Sequence, residues 1–252
     1  MNRRAALNRR TLLGGVGSVG SLAVIGYASR ERGDRLRVRF WRSERAARYP
    51  SVPDRIRDLL TVALDLPYWS LEITDGGIVS IGTENPAEAI RRGRWPAALL
   101  TGAAGSGDAP PVPDVNLLVS DAPMDAAPTG YGAPHVAAVG GARRLADLDS
   151  VGQRPVPVAR ETFAAQVLVH EVGHGLGLQH AHGEAYRRGD AVVVTPMLSA
   201  YAWDPTYEDD RSQCGRAYPD GVADGSLDRQ FTYRFSPCAR RRLRRYDGHH
   251  LP

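Results

Sequence analysis

The segment LVHEVGHGLGLQH, residues 168–180, decides how this sequence is interpreted. It places three of the seven histidines of the chain within eleven residues, with a glutamate beside the first of them. The segment ends a longer run, residues 159–178, whose apolar residues recur at helical spacing and predict the longest helix of the chain. Histidine, glutamate and glycine are poor residues for a buried helix, so their presence requires a chemical explanation.

His170 and His174 are four residues apart, so a helix presents their imidazoles side by side, at a spacing that one metal ion bridges. Glu171 falls near the same edge of the helix, within reach of a water on that ion. A straight helix cannot bring His180 to the same point, but Gly177 can adopt the positive φ that ends the helix and turns the chain back. The pattern predicts a catalytic zinc site with three histidine ligands and Glu171 as the base that activates a zinc-bound water.

Two features of this segment leave alternatives open. His182 lies two residues beyond His180 and competes with it as the third ligand, although the position of Gly177 favours His180. Gly173 and Gly175 lie in the predicted helix, where glycine costs about 1 kcal/mol relative to alanine. They either let another backbone or a substrate strand approach closely, or only relax the packing.

The pattern HExxHxxGxxH, present here as HEVGHGLGLQH, resembles the active-site motif of the metzincin zinc metalloendopeptidases, and its form looks most like the matrixin branch. The resemblance implies a zinc ion bound by His170, His174 and His180, with Glu171 as general base. It also implies a metzincin-like catalytic domain with a twisted mixed sheet, a central zinc-binding helix and a C-terminal helix. A strand at the upper rim of the cleft would run antiparallel to the bound substrate.

The resemblance further implies a Met-turn beneath the metal, and the segment TPMLSAY contains a candidate, Met197. Core packing is the alternative role for this methionine. Tyr201 follows it by four residues, whereas some metzincins place a tyrosine two residues after the methionine, as an extra ligand or oxyanion donor. Tyr201 is a candidate for either role. Met197 follows His180 by seventeen residues, more than in matrixins, and residues 183–194 (GEAYRRGDAVVV) form the apparent insertion.

Around this segment, the hydrophobic pattern predicts an α/β layered fold in one domain, residues 31–252. Predicted strands are residues 35–41, 69–76, 115–121, 135–141 and 191–195, and predicted helices are residues 53–65, 85–93, 159–178 and one that begins at Ser236 and Pro237. Residues 101–113 are predicted to form a loop, and Asp75 and Gly76 to end the second strand. The strand HVAAVGG, residues 135–141, is our hypothesis for the edge strand that pairs with substrate.

The N-terminal residues resemble an export signal. Arg9 and Arg10 precede an uncharged apolar run that ends in a small-x-small site, GYA. This order is typical of a twin-arginine signal peptide, here residues 1–30. The alternative is an uncut membrane anchor, because residues 11–28 approach the roughly 20 residues that span a bilayer. Either interpretation places the rest of the chain outside the cytoplasm, secreted or anchored at the cell surface.

Charge and cysteine content lead to further predictions. The net charge is +4, but five arginines and no acid occur in the first thirty residues, which leaves 27 arginines against 28 acids. The basic run CARRRLRR, residues 238–245, is either a nucleic-acid patch or a solvated helix face, and we expect no nucleic-acid partner. Cys214 and Cys238 suit a disulfide of an exported protein, worth about 3.5 kcal/mol by loop closure, with two free thiols as the alternative.

Two groups of polar residues carry weaker expectations. Asp220, Asp224 and Asp228 resemble a calcium loop, but their spacing does not match the EF-hand pattern. His135 and the pair at residues 249–250 are expected at the surface.

The sequence therefore predicts an exported zinc-dependent endopeptidase that acts on a polypeptide substrate. One rival is a zinc hydrolase that acts on a non-protein amide or a cell-wall peptide. A second rival is a catalytically silent zinc-binding adhesion or recognition module of the same fold. Glu171 argues against the silent module, because a protein without turnover has no need of the base.

Overall fold

The computed structural model describes residues 35–125, 129–149, 151–204 and 226–248 of the chain. Its strands are β1 (Arg35–Ser43), β2 (Ser70–Val79), β3 (Val115–Val119), β4 (Gly130–Ala133), β5 (Val136–Val139), β6 (Val156–Pro157), β7 (Ala185–Arg188), β8 (Ala191–Val194) and β9 (Asp228–Phe231). Its helices are α1 (Val52–Ala63), α2 (Pro86–Arg91), α3 (Arg94–Ala103), α4 (Ala142–Ala146), α5 (Arg160–Gly175) and α6 (Pro237–Leu243). This order of elements confirms the α/β layered fold class.

A five-stranded mixed sheet with the order β2-β1-β3-β5-β4 forms the centre. β1 is parallel to β2 and β3, β3 is parallel to β5, and β4 runs antiparallel to β5. All of β3 is buried, as expected of a strand covered on both faces. Helices α1, α4 and α5 pack on the face that carries Phe40 and Leu117, and α2 and α3 pack on the face that carries Trp41 and Leu118.

The edge-strand hypothesis for residues 135–141 is wrong. β5, which lies in this segment, is hydrogen-bonded to β3 on one side and to β4 on the other, so it is an inner strand. Its four residues are all buried, which suits an inner strand of apolar residues. On this side the edge strand is β4, with the sequence GYGA, which the sequence pattern did not predict as a strand.

Two other boundaries differ from the predictions. α3 extends to Ala103, into the predicted loop, and Pro96 is tolerated because it lies in the first helical turn. β2 continues past Asp75 to Val79, since the register of β1 against β2 shifts between Phe40 and Arg42. Gly76 lies against the Trp41 ring, where a Cβ would overlap the indole.

A second, four-stranded sheet with the order β6-β9-β8-β7 lies beyond the central helix. The apparent insertion, residues 183–194, forms the β7–β8 hairpin of this sheet, which turns at Gly189 with φ 62°. The C-terminal helix α6 begins where the sequence predicts, because the Ser236 hydroxyl oxygen accepts a hydrogen bond from the Ala239 amide at 3.0 Å.

Several predictions lie outside the described residues. They concern the export signal, Cys214, Asp220, Asp224 and the histidines at residues 249–250. The disulfide and the calcium loop therefore stay predictions. Among the described residues, no helix is long and apolar enough to cross a membrane.

Candidate metal centre

Helix α5 ends in a Schellman motif that turns the chain back toward the helix. The Leu178 amide donates to the Gly173 carbonyl and the Gly177 amide to the His174 carbonyl, each at 2.9 Å. Gly177 has φ 76°, a left-handed conformation that favours glycine. This turn returns His180 to the last turn of the helix, as the sequence predicts.

Three histidine side chains converge at this turn. Nε2 of His174 lies 3.0 Å from Nε2 of His170 and 3.2 Å from Nε2 of His180. In a tetrahedral site with zinc–nitrogen bonds of about 2.0–2.1 Å, two ligand nitrogens lie about 3.3 Å apart. The observed separations therefore fit a zinc ion at the centre of the three rings.

Backbone carbonyls orient two of the three imidazoles. Nδ1 of His170 lies 2.7 Å from the Pro196 oxygen, and Nδ1 of His174 lies 2.9 Å from the Leu178 oxygen. A carbonyl only accepts, so each Nδ1 carries the ring proton and each Nε2 presents a lone pair. Two lone pairs that face each other at 3.0 Å repel unless a cation lies between them. The donor set thus fits a metal that prefers imidazole nitrogen.

The surroundings keep these histidines in the form that binds metal. Burial, together with the neighbouring His174, holds the pKa of His170 well below its usual value. Burial and the nearby His180 lower the pKa of His174 to about 4. Both rings are therefore neutral at pH 7, as coordination requires. Burial raises the pKa of Glu171 to about 8, and a cation among the histidines would lower it again.

His182, the alternative third ligand, lies outside the cluster. Its Nδ1 accepts a hydrogen bond from the Gln179 amide at 2.8 Å, which stabilises the 3-10 turn at His180–His182. Among the described residues, the group placed to hold a metal comprises His170, His174 and His180.

Met197 packs against α5 between the first two histidines of the motif. It is buried, and a Cβ on Gly173 would overlap its sulfur. A Cβ on Gly175 would lie 3.1 Å from a methyl group of Val115. The atoms nearest to both added Cβ positions belong to side chains, so the two glycines admit neighbouring side chains. Met197 therefore lies beside the two histidines, and the Met-turn stays a prediction.

The carboxylate of Glu171 is covered by strand β4. Only 7% of Glu171 is exposed. A Cβ on Gly130 would lie 2.5 Å from Glu171 Oε1, and a Cβ on Gly132 would lie 2.6 Å from the Glu171 backbone oxygen and from His174 Cβ. The two glycines let the edge strand lie directly on the helix at the glutamate.

Tyr201 also lies at the cluster, although its spacing from Met197 departs from the family pattern. Its ring centroid is 4.8 Å from that of His180 and 5.9 Å from that of His170. The side chain is 38% exposed, so it faces both the histidines and solvent. Ser199, two residues earlier, has φ 49°, and this strained turn directs the following segment toward the rings.

A cavity of about 590 Å³ opens beside His170 and Glu171. Its walls are mainly apolar, formed by Met124, Val158, Phe163, Val167, Trp203 and Phe231. Val158 is 40% exposed, which is unusual for a large apolar residue in this chain. The cavity is large enough to take a bulky apolar side chain of a ligand next to the carboxylate.

The expectation that His135 lies at the surface is wrong. The residue is buried, its Nδ1 lies 3.2 Å from the Asp114 carbonyl oxygen, and its amide donates to the Gly175 oxygen at 2.9 Å. It occupies the two-residue turn between β4 and β5 with φ 67°. Because β4 was not predicted, nothing in the sequence indicated that His135 lies in a tight turn between two strands.

Comparison with known proteins adds little to this geometry. No protein-family model matches the sequence, and no curated protein matches it. Among solved structures, the chain is similar to an archaemetzincin from Methanopyrus kandleri, with a TM-score of 0.41 and 15% identity over 86% of this chain and 97% of that chain. Similarity at this level does not establish a shared fold, so the site is interpreted from its own residues.

Proposed function

We propose that this protein is an exported zinc-dependent endopeptidase in which Glu171 acts as general base and acid. The observation that carries the proposal is the convergence of three histidine Nε2 atoms beside a buried carboxylate at the edge of a sheet. His170, His174 and His180 would hold the ion. Bound zinc would acidify a water molecule and polarise the scissile carbonyl.

Glu171 accepts the proton of the attacking water and then passes it to the leaving amine. Its burial suits both steps, because a carboxyl group without solvent holds a transferred proton more readily than an exposed one. Gly130 and Gly132 keep β4 on the glutamate and so restrict where the carboxylate can move. Tyr201 is close enough to the cluster to serve as a hydrogen-bond donor to the carbonyl oxygen as charge develops on it.

The edge strand favours an extended polypeptide over a small amide as substrate. β4 pairs with β5 on one side, and within the described residues its other side pairs with no strand. A peptide can add to this side as a further strand, and one of its side chains can enter the adjoining cavity. A small acyl compound would use neither feature.

A glutamine substitution at the proposed base tests the function. Glu171→Gln keeps the side-chain volume and removes the proton acceptor, so peptide cleavage should fall by roughly 10²–10⁴-fold. Zinc content, measured by metal analysis, should stay at one ion per chain. Glu161→Gln, on the same helix but outside the cavity, is the matched control and should keep full activity. Full cleavage by the Glu171 variant would refute the assignment.

Metal removal separates the proposed endopeptidase from its rivals. Cleavage of an unstructured protein such as casein should stop with a chelator and return with zinc. Cleavage of small amides or cell-wall peptides without cleavage of casein would favour the non-protein hydrolase. Zinc binding without turnover of either substrate class would favour the silent recognition module.

Export by the twin-arginine route is tested by whether the protein reaches the medium or cell surface when Arg9 and Arg10 are replaced with lysine.

A further inference from the structure

The C-terminal arginine surface comprises Arg240, Arg241, Arg242, Arg244 and Arg245, in and just after α6. The same segment buries Ala239, Leu243 and Tyr246 against the core. Their spacing of four and three residues places the apolar side chains on one face. Of the five arginines, Arg240 is half-buried and the other four are exposed on the opposite face.

Within the described residues, few carboxylates compensate the charges of this surface. Arg240 donates to the backbone oxygen of Asp65 at 3.3 Å. None of the four exposed arginines forms an ion pair with a carboxylate in the part of the chain that the structure describes. Asp65 lies beside the helix in space, and Asp247 follows it in sequence. A helix C-terminus favours a cation, but this effect is confined to the last turn and does not account for four exposed guanidinium groups.

The arginine surface lies where the N-terminal part of the chain joins the fold. Trp69 donates from Nε1 to the Leu243 oxygen at 3.2 Å, and its ring lies 6.3 Å from that of Tyr246. The next residue, Ser70, pairs with Arg35 at the first position of β1. Arg35, the first residue that the structure describes, therefore lies at the end of the molecule that carries the arginines.

The sequence before Arg35 limits how far this end can lie from a membrane. The apolar run, residues 11–28, is separated from Arg35 by only six residues. The seven steps from Ala28 to Arg35 extend at most about 25 Å. A domain of this size is roughly 40 Å wide. If the apolar run enters a bilayer, the tether is too short for the opposite side of the domain to face that bilayer.

We propose that the C-terminal arginine surface binds the anionic phospholipid headgroups of the membrane that the N-terminal apolar run enters. Guanidinium groups form paired hydrogen bonds with phosphate oxygens, and clustered basic residues beside an apolar segment are attracted to an anionic lipid surface. One apolar segment and one basic surface together hold a protein on a membrane more firmly than either does alone. This surface binds lipid independently of catalysis, so the proposed function and this proposal can fail separately.

Vesicle flotation of the full chain tests the proposal. Binding is measured to phosphatidylcholine vesicles and to vesicles that also contain phosphatidylglycerol, and the ratio of the two partition coefficients is the readout. The apolar run contributes to both measurements, so its effect largely cancels in the ratio. We expect the ratio to exceed one and to fall with added salt. Replacement of Arg241, Arg242, Arg244 and Arg245 with glutamine should lower it by roughly tenfold or more.

Two further variants separate charge from folding. Lysine at the same four positions keeps the charge and should retain most of the ratio. The matched control replaces four exposed arginines elsewhere, Arg154, Arg160, Arg187 and Arg188, with glutamine and should leave the ratio nearly unchanged. The proposal would be overturned if the native chain gave a ratio of one. It would also be overturned if the ratio fell equally in the control variant, or did not fall when the four arginines of the surface were replaced with glutamine. Preferential binding of a DNA duplex over anionic vesicles would also overturn it, in favour of a nucleic-acid surface.

Discussion

The turn at His135 and the turn at Gly177 lie against each other, and each contains buried or half-buried histidine. The His135 amide donates to the Gly175 oxygen, so the hairpin turn is fastened to the end of the metal-binding helix. In both turns one residue has positive φ, 67° at His135 and 76° at Gly177. Nδ1 of His135, like that of His174, faces a backbone carbonyl oxygen.

The difference between the two turns lies in where Nε2 points. Nε2 of His174 faces the same atom of two other histidines at 3.0 and 3.2 Å, whereas His135 belongs to no cluster of metal-ligating groups among the described residues. A single buried imidazole can be accommodated by backbone hydrogen bonds. Three converging acceptors need a cation. Burial of a histidine is therefore weak evidence for a metal site, and convergence is strong evidence.

Removal of one histidine from each turn tests this comparison most directly. His174→Ala removes a ligand, and zinc affinity should fall by more than the roughly 100-fold that is lost when a residue that only orients a ligand is removed. His135→Asn keeps a residue that tolerates positive φ and should retain zinc, with a loss of about 1–3 kcal/mol in the free energy of unfolding. Zinc titration with a competing chelator measures the first effect, and denaturant unfolding measures the second. Equal zinc loss in both variants would contradict the distinction.

A bulky residue in β4 tests how the hairpin serves the metal site. In Gly132→Val the new side chain would meet the backbone of Glu171 and the Cβ of His174, neither of which can move freely. Overpacking of this kind costs about 1–3 kcal/mol in unfolding free energy. Peptide cleavage should fall by more than this loss of stability alone would cause, because β4 is the strand that we propose pairs with the substrate. Gly152→Val, where nothing lies within 4 Å of an added Cβ, is the matched control. If the Gly132 variant cleaved peptides at the native rate, β4 would have no role in binding the substrate.

The metal cluster could be predicted from the sequence because its geometry is local. His170 and His174 are fixed by helical spacing, and the return of His180 depends on a single glycine. The helix is also the longest periodic segment, so its existence is among the safer sequence predictions. Met197 could be placed only through the family resemblance, since its contact with Gly173 spans two separate segments.

The surroundings of the cluster could not be predicted in the same way. β4 has no alternating pattern, and its residues form a strand because β5 and helix α5 hold them there. The choice of β5 as edge strand failed because a short apolar strand does not reveal its neighbours. The spacing of Gly130 and Gly132, two apart and thus on one face of a strand, was the available signal of a close approach to another element.

The cluster also has an adjacent tyrosine, Tyr201. Tyr201→Phe keeps the ring beside His180 and removes only the hydroxyl. If this hydroxyl donates to the developing oxyanion, kcat should fall by about tenfold or more, with little change in KM or zinc content. Tyr186→Phe is the control, because Tyr186 is 37% exposed and Tyr201 38%. A change in zinc affinity instead of kcat would indicate that Tyr201 acts as an extra ligand.

The smallest effect concerns the glycines on which the metal-binding helix packs. Gly173→Ala gains helix propensity of at most about 1 kcal/mol but forces the Met197 sulfur to move, so we expect a net loss of about 1 kcal/mol in unfolding free energy. Gly175→Ala meets only a methyl group of Val115 at 3.1 Å and should cost less. In a Met197→Ala background the Gly173 substitution should cost less, because the added Cβ then meets only the Phe235 ring, at 3.0 Å. A double-mutant cycle measures this coupling, and additive effects would show that Met197 does not explain the glycine.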